Sequence, residues 1–262
     1  MNTSQEMTRS AELKVKQQIL QRNPWYISNQ FEWAKRPCIR LIYEKRYKYF
    51  LECMERARNR TGPILRILDG GCGDGYWLSR LSAIPWLRLT GIDYNPLRIE
   101  RAMSASAGAS VHLCNLMNLQ PEEPYDVVLL NQVIEHVNDD IGLLHKIREN
   151  LRIDGLLILG TPNEGSRLHR LKMKRRGRTH ETDHVHFYTE REISRKLLNA
   201  GFRIESVMRE VFAIPNQRIY YWLTSRAWGF ILLEILTRLF PSECSDFYFE
   251  CVLRGEGQNN RL

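Results

Sequence analysis

The stretch "ILDGGCGDG", residues 67–75, decides the fold. An apolar run ends on Asp69, the alternate glycines Gly71, Gly73 and Gly75 follow, and a helix-like segment opens at Tyr76. Glycine turns the backbone at little steric cost and leaves no Cβ between the chain and a bound molecule. Strand, glycine turn and helix in this order therefore predict a ligand at the carboxyl end of the strand.

Outward from that turn the alternation repeats. The apolar runs "RLTGID" (88–93), "SVHLCN" (110–115), "YDVVLL" (125–130), "GLLILGT" (155–161), "FRIESVMREV" (202–211) and "DFYFECVLRG" (246–255) are separated by helix-like stretches such as "PLRIERAMSASAG" (96–108) and "DDIGLLHKIREN" (139–150). Continuous apolar strands between amphipathic helices belong to a parallel sheet covered on both faces, and right-handed crossovers make it doubly wound. The expected fold class is α/β, a doubly wound, mostly parallel, seven-stranded Rossmann-like sheet. Residues 1–62 read as a helical N-terminal cap, with Ile42, Tyr49, Phe50 and Cys53 at helical spacing before the break "TGP" at 61–63. Residues 63–254 read as one domain, 164–187 within it as a basic, histidine-rich loop, 214–243 as an apolar helical insertion before the last strand, and 255–262 as a polar tail.

The glycine turn admits two ligand classes. A dinucleotide fold wants a small residue where this chain has Tyr76, so the pyrophosphate reading weakens. Asp69 repels a pyrophosphate but suits the cationic amino and sulfonium groups of S-adenosylmethionine. The second strand ends in "GIDYNP", where Asp93 is placed to accept from ribose hydroxyls or to cap the helix opening at Pro96.

Taken together, "DGGCGDG", "GIDYNP", "YDVVLLNQVIEHV", "LRIDGLLILGTPN" and "FYTEREISRKLLNAGFRIESV" resemble the class I S-adenosylmethionine-dependent methyltransferases, especially the ubiquinone-type O-methyltransferases and their sugar-modifying relatives, over residues 64–211. The resemblance implies S-adenosylmethionine as cofactor. It places Asp69, Gly71, Gly73 and Gly75 around the methionine part, Asp93 on the ribose, and Asn115 with Leu116 near adenine; Cys72, Tyr94 and Asn131 join the cofactor-binding positions. Many relatives carry Asp where this chain has Asn115.

Methyl transfer is an in-line displacement, so holding acceptor and methyl group in register supplies much of the catalysis. A hydroxyl acceptor also needs a base or a metal for its proton. "QVIEHV" (132–137) follows the fourth strand, and a helical turn there would put Gln132 and Glu135 on one face with His136 one turn from Gln132. The plainer alternative is that Glu135 and His136 only open a helix. After "TPN" (161–163) the chain runs through a basic stretch and returns as "HETDHVHFY" (180–188), which carries His180, Glu181, Asp183, His184 and His186. Such a loop can close over an acceptor and bring His184 or His186 toward His136. This arrangement also resembles the small-RNA 3'-terminal 2'-O-methyltransferases, whose metal site is built from E-x-x-E-H and the histidine of a D-H segment after T-P-N. Here Gln132 stands for the first glutamate, which weakens a site for Mg²⁺ or Mn²⁺. The expected catalytic residues are His136, His184 and Glu135, and the same three are the candidate metal ligands. A metal centre, a metal-free base and a loop ordered by its histidines all stay open.

The chain has 262 residues, 43% hydrophobic, with a formal charge of +8, which favours an anionic partner without choosing among phosphate, nucleic acid and membrane. The six cysteines lack C-x-x-C spacing and no apolar leader follows the start, so the expected location is cytoplasmic. "RLHRLKMKRRGR" (167–178) is suited to gripping phosphates of a nucleotide sugar, a lipid-linked saccharide, lipid headgroups or RNA, or to a solvated loop. "PNQRIYYWLTSRAWGFILLEILTRLFPSEC" (215–244) is strongly apolar, but its longest apolar run, "AWGFILLEILTRLF" (227–240), is too short and too charged to span a bilayer. It is expected to pack on the domain, to form a homodimer, or to lie peripherally at a membrane through 219–240. The favoured acceptor is a saccharide, lipid-linked saccharide or prenylated phenol; RNA ribose methylation and a noncatalytic S-adenosylmethionine-binding adaptor are the alternatives.

Overall fold

The structure, a computed structural model, describes residues 28–177 and 183–254. The expectations placed on residues 1–27, Arg178, His180, Glu181 and the tail 255–262 lie outside the described residues.

The chain enters through a short helix α1 (Gln30–Ala34) and a long helix α2 (Pro37–Thr61). Pro37 fixes the first turn of α2, and Arg58 and Arg60 complement the negative end of its dipole. Its residues Ile39, Ile42, Tyr49, Phe50, Cys53, Met54 and Ala57 are buried at helical spacing. The alternating pattern then folds as β1 (Leu65–Gly70), α3 (Tyr76–Leu81), β2 (Leu87–Asp93), α4 (Pro96–Ala105), β3 (Ser110–Leu113), β4 (Tyr125–Asn131), α5 (Asp140–Glu149) and β5 (Leu151–Pro162). Helix α6 (Arg167–Arg175) and helix α7 (Glu190–Asn199) precede β6 (Phe202–Arg209), and a helical hairpin, α8 (Gln217–Thr224) and α9 (Ala227–Leu239), separates β6 from β7 (Asp246–Leu253).

The seven strands form one sheet in the order β3-β2-β1-β4-β5-β7-β6. The first five pair in parallel, and β7 runs antiparallel between β5 and β6. Alternate residues divide between two cores, as the pleat requires. Leu68, Val128, Leu130, Leu157 and Leu159 face α5 and α7. Ile67, Val127, Leu129, Leu156 and Ile158 face α2, α3 and α4. The direction of winding reverses between β1 and β4, which opens a crevice at their carboxyl ends.

One expectation is corrected. The basic run is not a loop over its whole length: Arg167–Arg175 form α6. Ser166 caps the helix by accepting from the His169 amide, no glycine or proline interrupts the run before Gly177, and Met173 is buried. The apolar insertion is a hairpin seated on α2, where Leu223, Phe230 and Leu233 pack with Ile42 and Val211.

A buried ion pair fastens α2 to the sheet. Arg46 Nε donates to Glu210 Oε1 at 2.5 Å and its Nη2 to Oε2 at 3.0 Å, with Asp246 3.5 Å away. Burial raises the Glu210 carboxyl, but Arg46 overrides this and holds it below the usual carboxylate range. Removing one partner leaves an uncompensated buried charge. Arg46→Ala is therefore expected to cost about 3–5 kcal/mol in urea unfolding, whereas Arg46→Met with Glu210→Leu recovers most of that loss.

Candidate functional site at the carboxyl edge of the sheet

The glycine turn is tied to its neighbours by backbone bonds. The amides of Gly71 and Cys72 donate to the Ile92 carbonyl at 2.8 and 2.9 Å, and that of Gly73 donates to Asp93 Oδ2 at 2.9 Å. Asp93 Oδ1 accepts from the Asn95 amide at 2.8 Å, and it is Asn95, not Asp93, that caps α4. Gly71 and Gly73 have φ of 75° and 57°, in the left-handed region that disfavours side chains. A Cβ on Gly71 would lie 2.5 Å from Val133, and one on Gly73 would lie 2.8 Å from Gln30 and Arg98.

Asp69 is buried beneath this turn, and its Oδ2 has no hydrogen-bond partner among the described residues. Burial and the neighbouring Asp93 push its carboxyl up to about 7. An unpartnered buried carboxylate is costly, and a cationic group seated beside it removes that cost. The other expected cofactor residues spread along the same edge. Cys72 is buried and its thiol is pushed up by burial, while Tyr94 is exposed. Asn115 caps the short turn Leu116–Asn118, within which Leu116 is buried, and Asn131 accepts from the Tyr248 hydroxyl at 3.0 Å. Gln30, not legible from sequence, donates its backbone amide to Asp74 Oδ2 at 2.6 Å while its Oε1 accepts from the Asp74 amide, so that α1 lies over the turn.

The second half of the site begins at Gln132, whose φ of 59° is left-handed. The expectation of a helical turn uniting Gln132, Glu135 and His136 is corrected: only Ile134–His136 form a turn of 3₁₀ helix. Gln132 turns away, donating its amide to the Gly160 carbonyl at 2.8 Å and its Nε2 to Asp246 Oδ1 at 3.0 Å. Glu135 and His136 instead meet His184. One potential ligand atom from each of these three lies within 4.8 Å of the others. The returning segment is held by the Glu135 carbonyl, which accepts from the amides of Val185 at 2.8 Å and His186 at 3.2 Å. His186 stays outside the cluster, donating Nε2 to the carbonyls of Val137 and Asn138 and stacking on Tyr188.

Each member of the cluster is differently charged. Glu135 is buried; Oε2 accepts from Thr161 at 3.1 Å, Oε1 has no hydrogen-bond partner among the described residues, and burial pushes the carboxyl up to about 7. His136 donates Nδ1 to the Asp183 carbonyl at 3.2 Å, which leaves its Nε2 lone pair available. Burial, with the charge of His184, lowers its pKa below the ordinary imidazole value. His184 stands edge-on to it with ring centroids 4.6 Å apart and donates Nδ1 to Glu164 Oε2 at 2.6 Å. Burial alone would lower His184, but Glu164, with Glu135 and Asp183, pushes it up to about 9.

A cavity of about 280 Å³ adjoins this cluster, lined by Gln132, Glu164, His169, His184, Tyr220 and Asp246 among others. Burial and the charge of Glu210 push the Asp246 carboxyl up to about 8. A wider cavity of about 430 Å³, beside Lys45, Arg209 and Arg238, shares none of these lining residues. Glu164 and Asp246 were missed from the sequence. Glu164 directly follows "TPN" and was open to detection, whereas Asp246 lies on the far side of the hairpin insertion.

A methyltransferase-domain family model matches residues 40–207. The chain belongs to the class I S-adenosylmethionine-dependent methyltransferases. That match reaches the class and not the ubiquinone-type or sugar-modifying branches within it. A malonyl-[acyl-carrier protein] O-methyltransferase of Bacillus cereus is 27% identical over 121 residues, 45% of this chain and 45% of that protein. A tRNA U34 carboxymethyltransferase of Shewanella denitrificans is 34% identical over 115 residues, 41% of this chain and 35% of that protein. The chain thus spans less than half the length of these curated relatives. The N-methyltransferase NodS of Bradyrhizobium japonicum, solved with S-adenosyl-L-homocysteine, shares the fold with a TM-score of 0.57 at 15% identity, over 92% of this chain and 99% of that one.

Within this methyltransferase the Glu164 carboxylate is what keeps His184 charged. In Glu164→Gln the His184 imidazole is expected to titrate at least a full pH unit below its value of about 9 in the parent chain, measured by two-dimensional NMR.

Proposed function

We propose that the chain methylates an oxygen atom of an amphiphilic acceptor held in the cavity beside His184. The edge-on contact of His136 with His184, which lines the cavity, carries this reading. The residues present fit S-adenosylmethionine: the glycine turn is closed to side chains, and the unpartnered Asp69 oxygen complements an ammonium group. When bound there, the cofactor supplies a methyl group made electrophilic by its sulfonium. His136 Nε2 would take the proton of the acceptor hydroxyl as the methyl group leaves sulfur for oxygen, so that one proton passes from acceptor to protein and the product is a methyl ether. His184, paired with Glu164, remains cationic and holds His136 in its neutral form. Glu135 lies buried behind the two imidazoles, and its carbonyl fixes the segment carrying His184.

The acceptor class is argued from the walls. Tyr220 and Tyr221 of the apolar hairpin close one side, and Lys172 of basic α6 closes another. A saccharide, a lipid-linked saccharide or a prenylated phenol matches that mixture. A second reading, with Mg²⁺ or Mn²⁺ between Glu135, His136 and His184, draws on the proximity of their ligand atoms and on the unpartnered Glu135 oxygen. A single carboxylate with two imidazoles suits Mn²⁺ better than Mg²⁺, and the charge on His184 opposes either. Transfer of labelled methyl into lipid, glycan and RNA fractions, with and without a chelator, distinguishes the readings. Label in RNA makes the ribose methyltransferase the better account, chelator sensitivity favours the metal, and cofactor binding with no S-adenosylhomocysteine released points to an adaptor.

Gly73→Val is expected to abolish cofactor binding in calorimetry. His136→Ala is expected to leave that binding within about twofold while lowering kcat by about 10²–10⁴-fold.

The pH profile follows from the two histidines. His136 must be neutral, and its pKa lies below the usual imidazole value near 6.5, so kcat/KM rises on an acid limb below that pH. His184 must stay charged, so activity falls as pH rises through about 9. The two limbs belong to the coupled set, and Glu164→Gln is expected to move the alkaline limb downward.

A further inference from the structure

The helical hairpin buries one face and leaves an apolar face exposed. Gly229, Phe230, Leu233 and Thr237 of α9 are buried, Phe230 and Leu233 in the cluster with Ile42 of α2, whereas Trp222, Trp228, Ile231, Leu232, Ile235 and Leu239 are between 41% and 65% exposed. Exposed apolar residues are ordinary singly, but a row repeating every three to four positions along one helix is an interaction surface. The two tryptophans lie against each other, ring centroids 5.2 Å apart, with the Arg226 guanidinium 4.5 Å above Trp222.

The surroundings say what kind of surface this row meets. Arg218, Arg226 and Arg238 on the hairpin are exposed. Helix α6 carries Arg167, Arg170, Lys172, Lys174 and Arg175 and no acidic side chain. It is joined to both ends of the hairpin, since Arg176 donates to Gln217 and the Leu168 amide donates to Glu243 Oε2. The hairpin's acids are engaged elsewhere: Glu234 pairs with Lys45 at 2.9 Å, and Glu243 accepts from α6. An apolar row beside a helix that exposes Lys174 and Arg175 is complementary to the interface of an anionic bilayer, where aliphatic side chains enter the acyl boundary and Arg and Lys meet headgroups. No described helix is long and apolar enough to cross a membrane, so α9 would lie in the interface plane. A second copy of the chain fits less well, because a two-fold contact through this face sets each copy's cations near the other's.

We propose that the exposed face of α8 and α9, with basic α6 beside it, docks the protein on anionic lipid surfaces. The cavity beside His184 is walled by α6 and α8, so docking sets its rim at the headgroup level, where an amphiphilic molecule can enter without leaving the lipid phase. The surface itself makes the argument, which stands whether or not methyl transfer is found.

The test uses the full chain with vesicles of phosphatidylcholine alone and of phosphatidylcholine mixed with phosphatidylglycerol. Co-sedimentation with the mixed vesicles, accompanied by a blue shift of tryptophan emission, is the expected result. Trp228→Ser with Ile231→Ser, and separately Lys174→Glu with Arg175→Glu, should each weaken that binding by about tenfold or more. Both changes fall on exposed positions, and unaltered thermal unfolding verifies that the variants are folded. The proposal is overturned if the parent chain stays in the supernatant with both vesicle types. Equal binding to the two compositions, insensitive to Lys174→Glu with Arg175→Glu, also overturns it. So does a concentration-dependent dimer abolished by Trp228→Ser with Ile231→Ser in a chain that ignores vesicles.

Discussion

The Glu135 carbonyl is the point on which the candidate site depends. By accepting the amides of Val185 and His186 it fixes the register of a segment that has left the sheet, passed through α6 and returned. That register puts His184 against His136 and leaves His186 outside on Tyr188. The side chain of the same residue is buried with one oxygen unpartnered among the described residues, an arrangement costly in a core and worth keeping only where charge is to be handled. Strain upstream serves the same end. The left-handed Gln132 redirects the chain as it leaves β4, and its hydrogen bonds to Gly160 and Asp246 offset a conformation that costs about 1–3 kcal/mol.

The sheet positions this arrangement through β7. Running antiparallel between β5 and β6, it begins at Asp246, beside Gln132 and the Arg46–Glu210 pair. Helix α2 therefore reaches the cavity beside His184 without lining it: Arg46 holds the carboxylate beside Asp246, and Ile42 seats the hairpin whose tyrosines form a cavity wall. Rigidity from the buried pair and shape from the hairpin reach the cavity by separate routes.

Most of the sheet was legible because its signals are local. Apolar runs of strand length, glycines at the first turn and amphipathic helices between them carry their own period, and Asp69, Gly71, Gly73 and Asp93 gather where that pattern puts them. Helix α6 was hidden because dense Arg and Lys resemble a solvated loop, although Ser166 and the buried Met173 carry the helical information. The choice between His184 and His186 was not legible, since it turns on backbone hydrogen bonds to a residue about fifty positions earlier. The pairing of Gln132 with Asp246 was beyond sequence reading for the same reason, their separation being 114 residues. What was read as the possible loss of a metal-binding glutamate is, in the fold, a side chain assigned to the other wall of the cavity.

The two central imidazoles constrain one another. With ring centroids 4.6 Å apart they resist being charged together, and their environments decide which carries the proton. Glu164 hydrogen-bonds His184 at 2.6 Å, whereas His136 donates to the Asp183 carbonyl and has the Asp183 carboxylate no nearer than 3.5 Å, so charge collects on His184. A symmetric pair would share one titration and serve neither as a dependable base nor as a dependable cation. A hydrogen-bonded carboxylate on one ring, against a carbonyl and a more distant carboxylate on the other, sets the two imidazoles apart, and these neighbours are supplied by the segments that the Glu135 carbonyl and the "TPN" turn bring together.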